Sequence, residues 1–303
     1  MRPILFMVPE LGLHVHAYGV FIFVACFAAL ALAVWRAPRE KVDPNAVYEL
    51  AAWLFLGGVI GARFFFFIQH PEAFHRPTDL LRTWEGGNVF YGCILGGLAG
   101  SILYWYRRPF PFLRMCDLAA PGVAIGAALG RIGCFFNGCC HGATCSLPWA
   151  VRFPHGSHAW VRQLNAGLIS PDAPFSLPVH PAQLYSFAAG LIVLAVLLAY
   201  SSRPRRPGQL MAVLMIAYPL TRWPIEAIRG DEPTIFLGMT WAQHISIVLM
   251  MAGFGMWMAL RPDHRGECES GHSRATAPPH RLRGSVDDDP EVASAPEPAG
   301  AAG

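Results

Sequence analysis

Charge is scarce in this chain. Of its 303 residues only 14% are Asp, Glu, Lys or Arg, whereas 54% are hydrophobic. Soluble domains carry about 25% charged residues, so the composition excludes an ordinary soluble or secreted domain. The net charge of +3 is too small to indicate a nucleic-acid partner. The composition predicts a protein that crosses a membrane several times and is surrounded by membrane lipids.

Two further features are missing. The N-terminus lacks a recognisable signal peptide, since its apolar patch ends at Pro9 and no small-residue cleavage site follows. The long apolar segments lack the alternation typical of strands, which favours helices of about 20 residues. Seven segments qualify: 16–35, 47–68, 88–106, 115–136, 182–200, 208–228 and 239–260. The sequence thus predicts an all-α polytopic membrane protein with seven transmembrane helices.

The distribution of Lys and Arg over the loops predicts the orientation, because short cytoplasmic loops are enriched in both residues. The loops after the first, third and fifth segments hold nine of them: Arg36, Arg39, Lys41, Arg107, Arg108, Arg114, Arg203, Arg205 and Arg206. The alternate loops hold five: Arg76, Arg82, Arg152, Arg162 and Arg229. We therefore predict that the N-terminus lies outside and the C-terminus in the cytoplasm.

Two segments differ from the spans. Residues 137–181, between the fourth and fifth spans, form a long, proline-containing connection that we predict to be an extracytoplasmic head or cap. Residues 262–303 are rich in Pro, Ala, Gly, Ser and charge, and we predict a disordered cytoplasmic tail. The predicted transmembrane domain covers 1–261.

A set of unusual polar residues in the apolar segments, or at their ends, falls in the predicted outer half of the membrane. They are Tyr18, Arg63, Tyr91, Arg131, His180, Gln183, Tyr185, Arg222 and Glu226. An arginine in such a segment costs about 3 kcal/mol, and an intramembrane charge indicates a functional site by default. The structural alternatives are arginines that snorkel to the interface, tyrosines of an aromatic belt, and an ion pair between Arg222 and Glu226.

Arginines that converge at the outer leaflet suit a phosphate, because the guanidinium binds phosphate oxygens in pairs and stays charged at any relevant pH. Phosphate at that depth belongs to phospholipid head groups. The residues alone therefore predict a protein that holds an anionic lipid beneath a capping loop.

Several motifs carry a resemblance to a known family. They are His16-Ala17-Tyr18-Gly19, Gly61-Ala62-Arg63, the stretch from Gly86 to Gly92, Gly130-Arg131-Ile132-Gly133 with Asn137-Gly138, the stretch from His180 to Tyr185, and the Arg222, Glu226 and Arg229 series. Over roughly residues 14–260 the chain resembles the bacterial phosphatidylglycerol–prolipoprotein diacylglyceryl transferases. The resemblance implies a multi-pass protein of the bacterial cytoplasmic (inner) membrane.

The resemblance also implies an activity. Members of the family move the diacylglyceryl group of phosphatidylglycerol onto the thiol of a lipobox cysteine in a prolipoprotein signal peptide, which forms a thioether and releases glycerol 1-phosphate. No cofactor and no metal are implied. By the resemblance, Arg131 binds the lipid phosphate and Arg222 stabilises the leaving group, while Tyr91 takes a catalytic position. The implied substrate-binding residues are Arg131, Tyr18, Arg63, Asn137, Gly142, His180, Gln183, Tyr185 and Glu226.

The chain departs from the family pattern at positions that concern the thiol. Tyr91 stands where many members have a histidine, and a tyrosine with a pKa near ~10 is a poor base at neutral pH. Cys134, Cys139 and Ser186 stand where many members have asparagine, glutamate and glutamate. The alternative function is therefore a divergent member that binds anionic phospholipid, or transfers to another acceptor, without lipidating prolipoproteins.

The cysteines are crowded around the end of the fourth segment, at Cys134, Cys139, Cys140 and Cys145. Their spacing does not match paired Cys-x-x-Cys zinc ligands. We predict small, inert thiols and no metal. In an oxidising compartment a disulfide between Cys139 and Cys140 or between Cys140 and Cys145 is the alternative, and the second is preferred because vicinal pairs are strained.

Overall fold

The computed structural model describes residues 4–8, 13–71, 89–203, 205–229 and 237–260. All of them belong to one compact unit, Met1–Arg261. The second unit, Pro262–Gly303, lies outside the described residues, and so does the tail predicted for 262–303.

The described residues form eight helices. Their bounds are α1 Ala17–Arg36, α2 Pro44–Gln69, α3 Phe90–Arg107, α4 Phe112–Asn137, α5 His158–Asn165, α6 Ala182–Ser201, α7 Gln209–Ala227 and α8 Trp241–Ala259. An antiparallel hairpin of β1 (Ile4–Val8) and β2 (Leu13–His16) precedes α1, and Val8 pairs with Leu13 at its turn.

Two elements lie outside the seven segments predicted to cross the membrane. Helix α5 lies inside the 137–181 connection and is only eight residues long, so a search for spans of about 20 residues passes over it. Ser157 starts this helix by accepting a hydrogen bond from Trp160 N. The hairpin of β1 and β2 is the second addition.

Five of the helices are long and apolar enough to cross a membrane: α1, α2, α4, α6 and α8. Helix α3 falls short because it contains several glycines and tyrosines and ends in Arg107. Helix α7 falls short because it contains Arg222, Glu226 and two internal prolines, Pro219 and Pro224. The features that lower the hydropathy of α7 are the same ones that mark it as a candidate site.

Helix α4 lies at the centre of the bundle and packs against α1, α6 and α7. Small residues allow this close approach: a Cβ on Gly190 of α6 would lie 2.8 Å from Ala128 Cβ, and one on Gly122 would lie 3.1 Å from Ala29 O. Helices α2 and α3 form a separate pair that packs through facing glycines, and α2 joins this pair to α1.

Four charged residues meet where α4 begins; we call them the Asp117 cluster. They are Arg36, Glu40, Asp117 and Arg205. Asp117 accepts hydrogen bonds from Gly208 N (2.8 Å) and Met211 N (2.9 Å), which caps the start of α7. Glu40 pairs with Arg36 at 3.0 Å and also with Arg205.

The Asp117 cluster sets the relative direction of the helices. It joins the starts of α4 and α7 to the end of α1, and Arg36 Nη1 donates to Ser201 Oγ at the end of α6 over 3.0 Å. Helices α1 and α6 therefore run antiparallel to α4, and α7 runs in the same direction as α4. As a result, the end of α4 lies beside the end of α7 and the starts of α1 and α6.

Candidate functional site

Three arginines and one glutamate meet at the far end of α4; we call Arg131, Arg222, Glu226 and Arg229 the Arg131 cluster. Arg222 Nη2 lies 2.5 Å from Glu226 Oε2, and Arg229 Nη1 lies 3.4 Å from the same oxygen. The charge of Arg131 acts directly on Arg222, so the guanidinium groups of α4 and α7 converge. The carboxylate of Glu226 thus pairs with two of the three arginines.

Two arginines of the Arg131 cluster, Arg131 and Arg222, have hydrogen-bond donors without a partner among the described residues. Arg222 Nη1 is buried and has no hydrogen-bond partner. Arg131 is half-buried and makes no hydrogen bond or ion pair with any described residue. An unpartnered buried donor costs about 1–3 kcal/mol, and more when it is charged. Such donors beside uncompensated positive charge are suited to bind an anion.

Glu226 is fixed from a second helix. Its side chain is fully buried, and its Oε1 accepts a hydrogen bond from Thr240 Oγ1 over 3.3 Å. Thr240 is the N-cap of α8, where it forms a reciprocal capping box with Gln243. The start of α8 therefore holds the carboxylate that orients Arg222 and Arg229.

The segment after α4 closes over this end of the bundle. Gly142 N donates to His180 O over 3.0 Å, and Ala143 N donates to Ile228 O over 2.9 Å. A Cβ on Gly142 would lie only 2.5 Å from His180 Cβ, so this position requires glycine. Gly142 also forms a β-bridge with Arg229. The predicted residues Gly142 and His180 thus link the 137–181 segment to the Arg131 cluster.

The start of α6 contributes three predicted residues. His180 Nδ1 and Gln183 Oε1 are buried without hydrogen-bond partners. Gln183 Nε2 donates to Cys139 O over 2.8 Å. Tyr185 packs edge-on against His180, with the ring centroids 6.2 Å apart, and its hydroxyl accepts a hydrogen bond from Trp149 Nε1 over 2.7 Å. These side chains leave two more polar atoms available at the same end of the bundle.

Three thiols lie beside the arginines. The Sγ atoms of Cys134, Cys139 and Cys140 all lie within 4.8 Å of one another, and we call these residues the thiol trio. The side chain of Asn137 hydrogen-bonds with Cys139. Tyr18, in the first turn of α1, interacts electrostatically with the trio and with Arg131. Tyr18 and Asn137 therefore belong to this end of the bundle, as predicted.

The thiol trio has an unusual electrostatic environment. Hydrogen bonds with Cys134 and Cys139 lower the pKa of the Cys140 thiol, and the positive charges of Arg131 and Arg229 lower it further. The lower pKa favours the thiolate form of Cys140, whereas the hydrogen bond with Cys140 and burial raise the pKa of the Cys139 thiol.

The alternative disulfide between Cys140 and Cys145 is not formed among the described residues, where both are free cysteines. Cys145 N donates to Pro178 O over 3.0 Å, which ties Cys145 to the segment before α6. Cys140 lies instead with Cys134 and Cys139. This structure therefore has free thiols at both positions, in keeping with the preferred prediction.

Arg63 and Tyr91 occupy a different part of the protein. They lie on the α2–α3 pair, where the buried guanidinium of Arg63 is 5.6 Å from the centroid of the Phe66 ring. Tyr91 is 73% exposed at the start of α3. The motif residues before Val89, from Gly86 to Asn88, lie outside the described residues.

Sequence reasoning passed over three members of this region as site residues. Arg229 shares Glu226 with Arg222, and the signal for it was the helical spacing of the Arg222, Glu226 and Arg229 series. Thr240 was identifiable only as a helix start, with Gln243 three residues later. Cys140 gave no positional signal in the linear sequence.

Comparison with known proteins shows the family of the chain. The family described as prolipoprotein diacylglyceryl transferase matches residues 3–259. Three relatives carry the name phosphatidylglycerol–prolipoprotein diacylglyceryl transferase. The protein from Synechococcus elongatus is 32% identical over 88% of this chain and 93% of its own length. The one from Legionella pneumophila (strain Paris) is 30% identical over 82% and 94%, and the one from Clostridium tetani is 29% identical over 84% and 95%.

The matched region contains the Arg131 cluster, the closing segment around Gly142 and every helix described above. It extends over most of the chain and over nearly the whole length of the relatives. The chain belongs to the prolipoprotein diacylglyceryl transferase family.

Proposed function

We propose that this protein transfers the diacylglyceryl group of phosphatidylglycerol to the lipobox cysteine of prolipoproteins. The product is a thioether-linked lipid, and glycerol 1-phosphate is released. One observation carries the proposal: Arg222 and Arg229 share the carboxylate of Glu226, Arg131 beside them has no ion-pair partner among the described residues, and Arg222 Nη1 is buried without a hydrogen-bond partner. This excess of positive charge matches a phosphate group, which has several acceptor oxygens and a negative charge.

The proposed reaction is a displacement at carbon. The acceptor cysteine loses its proton to water, and its sulfur attacks the glyceryl carbon that carries the phosphate oxygen. A carbon–sulfur bond forms while the carbon–oxygen bond breaks, and the electron pair leaves with glycerol 1-phosphate. Negative charge develops on the leaving phosphate, and donors already in place stabilise it at no cost in reorganisation. The nucleophile belongs to the substrate, so the reaction requires no cysteine of the enzyme.

We assign the two central arginines different roles. Arg131 has no ion-pair partner among the described residues, so its whole charge is available to bind the lipid phosphate. Arg222 is held by Glu226 at 2.5 Å, which fixes one side of its guanidinium and leaves Nη1 for the leaving oxygen. A fixed donor suits transition-state stabilisation, because its geometry is set before the reaction.

The remaining predicted residues receive supporting roles. We assign eight residues to the lining of the lipid and peptide pocket: Tyr18, Arg63, Asn137, Gly142, His180, Gln183, Tyr185 and Glu226. Tyr91 is assigned to orient the acceptor thiol. Its position at the exposed start of α3 suits contact with a second substrate that arrives from the lipid.

We further propose how the protein lies in the bacterial cytoplasmic membrane. Helices α3 and α7 cross together with the five apolar helices, giving seven spans with the N-terminus outside. The Arg131 cluster then faces the outer leaflet, beneath the 137–181 head. Residues 1–261 form the transferase domain, and 262–303 form a disordered cytoplasmic tail.

The test measures lipidation of a reporter prolipoprotein in a strain depleted of its own transferase. We expect the wild-type chain to restore lipidation and Arg131→Ala to abolish it, while both proteins accumulate in the membrane. Arg152→Ala is the matched control, because Arg152 is exposed in the head and lies outside the Arg131 cluster. Lipidation by Arg131→Ala at the wild-type rate would contradict the proposal.

A second measurement separates transfer from lipid binding alone. The purified chain is mixed with phosphatidylglycerol vesicles and a lipobox peptide, and the release of glycerol 1-phosphate is followed. We expect release only when the peptide carries its cysteine. Binding of the lipid without release would identify instead a protein that holds anionic phospholipid without transferring it.

A further inference from the structure

The thiol trio has no place in the proposed transfer reaction, because the nucleophile comes from the substrate. Cys134 lies in the last turn of α4, and Cys139 and Cys140 follow the end of that helix. All three are free and half-buried, and their Sγ atoms lie within 4.8 Å of one another. Three thiols at this distance form the only group of three or more metal-ligand side chains found among the described residues.

The chain makes a tight turn directly after α4, where Cys139 and Cys140 lie. Gly138 (φ 72°) and Cys140 (φ 58°) both adopt the left-handed conformation, which turns the chain back onto α4. A non-glycine residue such as Cys140 adopts it at a cost, so surrounding contacts must maintain the turn. One such contact is the hydrogen bond from Gln183 Nε2 to Cys139 O, over 2.8 Å. The trio is therefore brought together by the fold rather than by sequence spacing.

The spacing of the sulfur atoms fits a single metal ion. Three thiolates that bind one zinc ion at about 2.3 Å lie about 3.8–4.0 Å from one another. The Sγ atoms of the trio all lie within 4.8 Å of one another, so the sulfur atoms approach by no more than about 1 Å when they bind an ion. Thiolate ligands select soft metals such as copper(I) and zinc.

The charge of the surroundings fits the same group. Three thiolates around a monovalent or divalent ion leave a net negative charge. Arg131 and Arg229 both act electrostatically on Cys140 and offset that charge. A hydrophobic cluster of thiols would not require two neighbouring arginines.

We propose that Cys134, Cys139 and Cys140 form a three-thiolate site for a single soft metal ion with a filled d shell, zinc(II) or copper(I). The site is distinct from the phosphate-binding Arg131 cluster but shares its positive charges. The inference reverses the expectation of inert thiols, and it does not depend on the transferase activity.

The first test titrates the full chain, purified in detergent under reducing and oxygen-free conditions, with cadmium(II). We expect one ion per chain and an ultraviolet sulfur-to-cadmium charge-transfer band. Zinc(II) and copper(I), added separately, compete for the site, and the ion that removes the band at the lower free concentration is the preferred one. Failure of the reduced wild-type chain to bind a single ion would overturn the proposal.

Matched serine variants locate the site. Cys139→Ser is expected to weaken binding at least about 100-fold, since the loss of even an outer-shell partner costs 10- to 100-fold. Cys145→Ser is the control, because Cys145 lies nearby in the chain but outside the trio, and it should bind as the wild type does. Equal binding by the Cys139→Ser and Cys145→Ser variants would overturn the assignment.

A measurement on the unmodified chain avoids any effect of substitution on folding. Alkylation of individual cysteines is followed by peptide mass spectrometry with and without bound cadmium(II). Binding should protect Cys134, Cys139 and Cys140 together and leave the rate at Cys145 unchanged. Protection of all four cysteines, or of none, would contradict the proposal. A disulfide inside the trio that persists when the protein is purified under reducing conditions would also contradict it.

Discussion

The two ends of helix α4 carry charge in different ways. The Asp117 cluster contains two arginines and two carboxylates, whereas the Arg131 cluster contains three arginines and one carboxylate. About 21 Å of helix separates Asp117 from Arg131, at ~1.5 Å per residue. Both ends contain buried arginine nitrogens without a hydrogen bond. They are Nε of Arg36 and of Arg205 in the Asp117 cluster, and Nη1 of Arg222 in the Arg131 cluster. Charge balance, rather than the number of hydrogen bonds, therefore distinguishes the end that joins the helices from the end at which we propose that the lipid phosphate binds.

The largest effect on stability is expected at the balanced end. Asp117→Ala removes a buried carboxylate that caps α7 through Gly208 N and Met211 N and faces Arg205 at 3.9 Å. Breaking a buried pair on one side costs about 3–5 kcal/mol. Reversible unfolding in detergent should show a loss of this size.

The control for Asp117 is Glu49→Ala, which removes an exposed pair with Arg108. Exposed ion pairs contribute about 0–1 kcal/mol. Equal losses in the two variants would mean that Asp117 does not stabilise the bundle through its buried contacts.

The largest effect on turnover is expected at the unbalanced end. Arg222→Lys keeps the charge beside Glu226 but removes the planar fork and its free Nη1 donor. Loss of one such donor to a developing oxyanion lowers kcat by about 10²–10³-fold. Single-turnover release of glycerol 1-phosphate measures this change.

Arg205→Lys makes the same substitution at the opposite end of the bundle, beside Glu40 and Asp117. We expect this variant to keep a normal turnover number per folded molecule. If both lysine variants slowed the reaction equally, the difference between the two ends would have no bearing on catalysis.

A ligand should stabilise the unbalanced end alone. Glycerol 1-phosphate at 100 times its dissociation constant is expected to raise the free energy of unfolding by about 2.7 kcal/mol. The shift should vanish in Arg131→Ala and persist in Arg205→Lys, as measured by thermal unfolding. A shift retained in Arg131→Ala would place the phosphate elsewhere.

The smallest effect is expected where the 137–181 segment joins the Arg131 cluster. Gly142→Ala forces a Cβ against His180 Cβ and the carbonyl oxygens of His180 and Ile228, at 2.5–3.0 Å. Overpacking of this kind costs about 1–3 kcal/mol. The control Gly255→Ala introduces a methyl group with no atom within 4 Å, so unfolding experiments should find it neutral or stabilising.

The apolar segments were enough to predict the positions of the long helices. The predicted segment 182–200 corresponds to α6, Ala182–Ser201, and 16–35 corresponds to α1, Ala17–Arg36. A run of about 20 apolar residues is a strong local signal, because a helix of that length spans the bilayer and satisfies its backbone hydrogen bonds internally. Helix α5 and the N-terminal hairpin were missed, since their stability depends on contacts that the sequence does not reveal.

The polar residues of the site could be identified individually, because each is a polar side chain within an apolar segment. The residues that they contact could not be predicted from the sequence. The contact between Asp117 and the start of α7 spans 91 residues of sequence, and the bond between Gln183 and Cys139 spans 44. The thiol trio depends on two left-handed residues, Gly138 and Cys140, and no spacing rule anticipates this turn.

Thr240 gives the last helix a part in the order of assembly. Its hydroxyl bonds to Glu226, and Glu226 orients two arginines, so the anion-binding end is incomplete until the ribosome has made the start of α8. A nascent chain that stops before residue 240 lacks this bond, whatever else has entered the bilayer. The three arginines are therefore synthesised before the hydroxyl group that fixes Glu226 beside two of them.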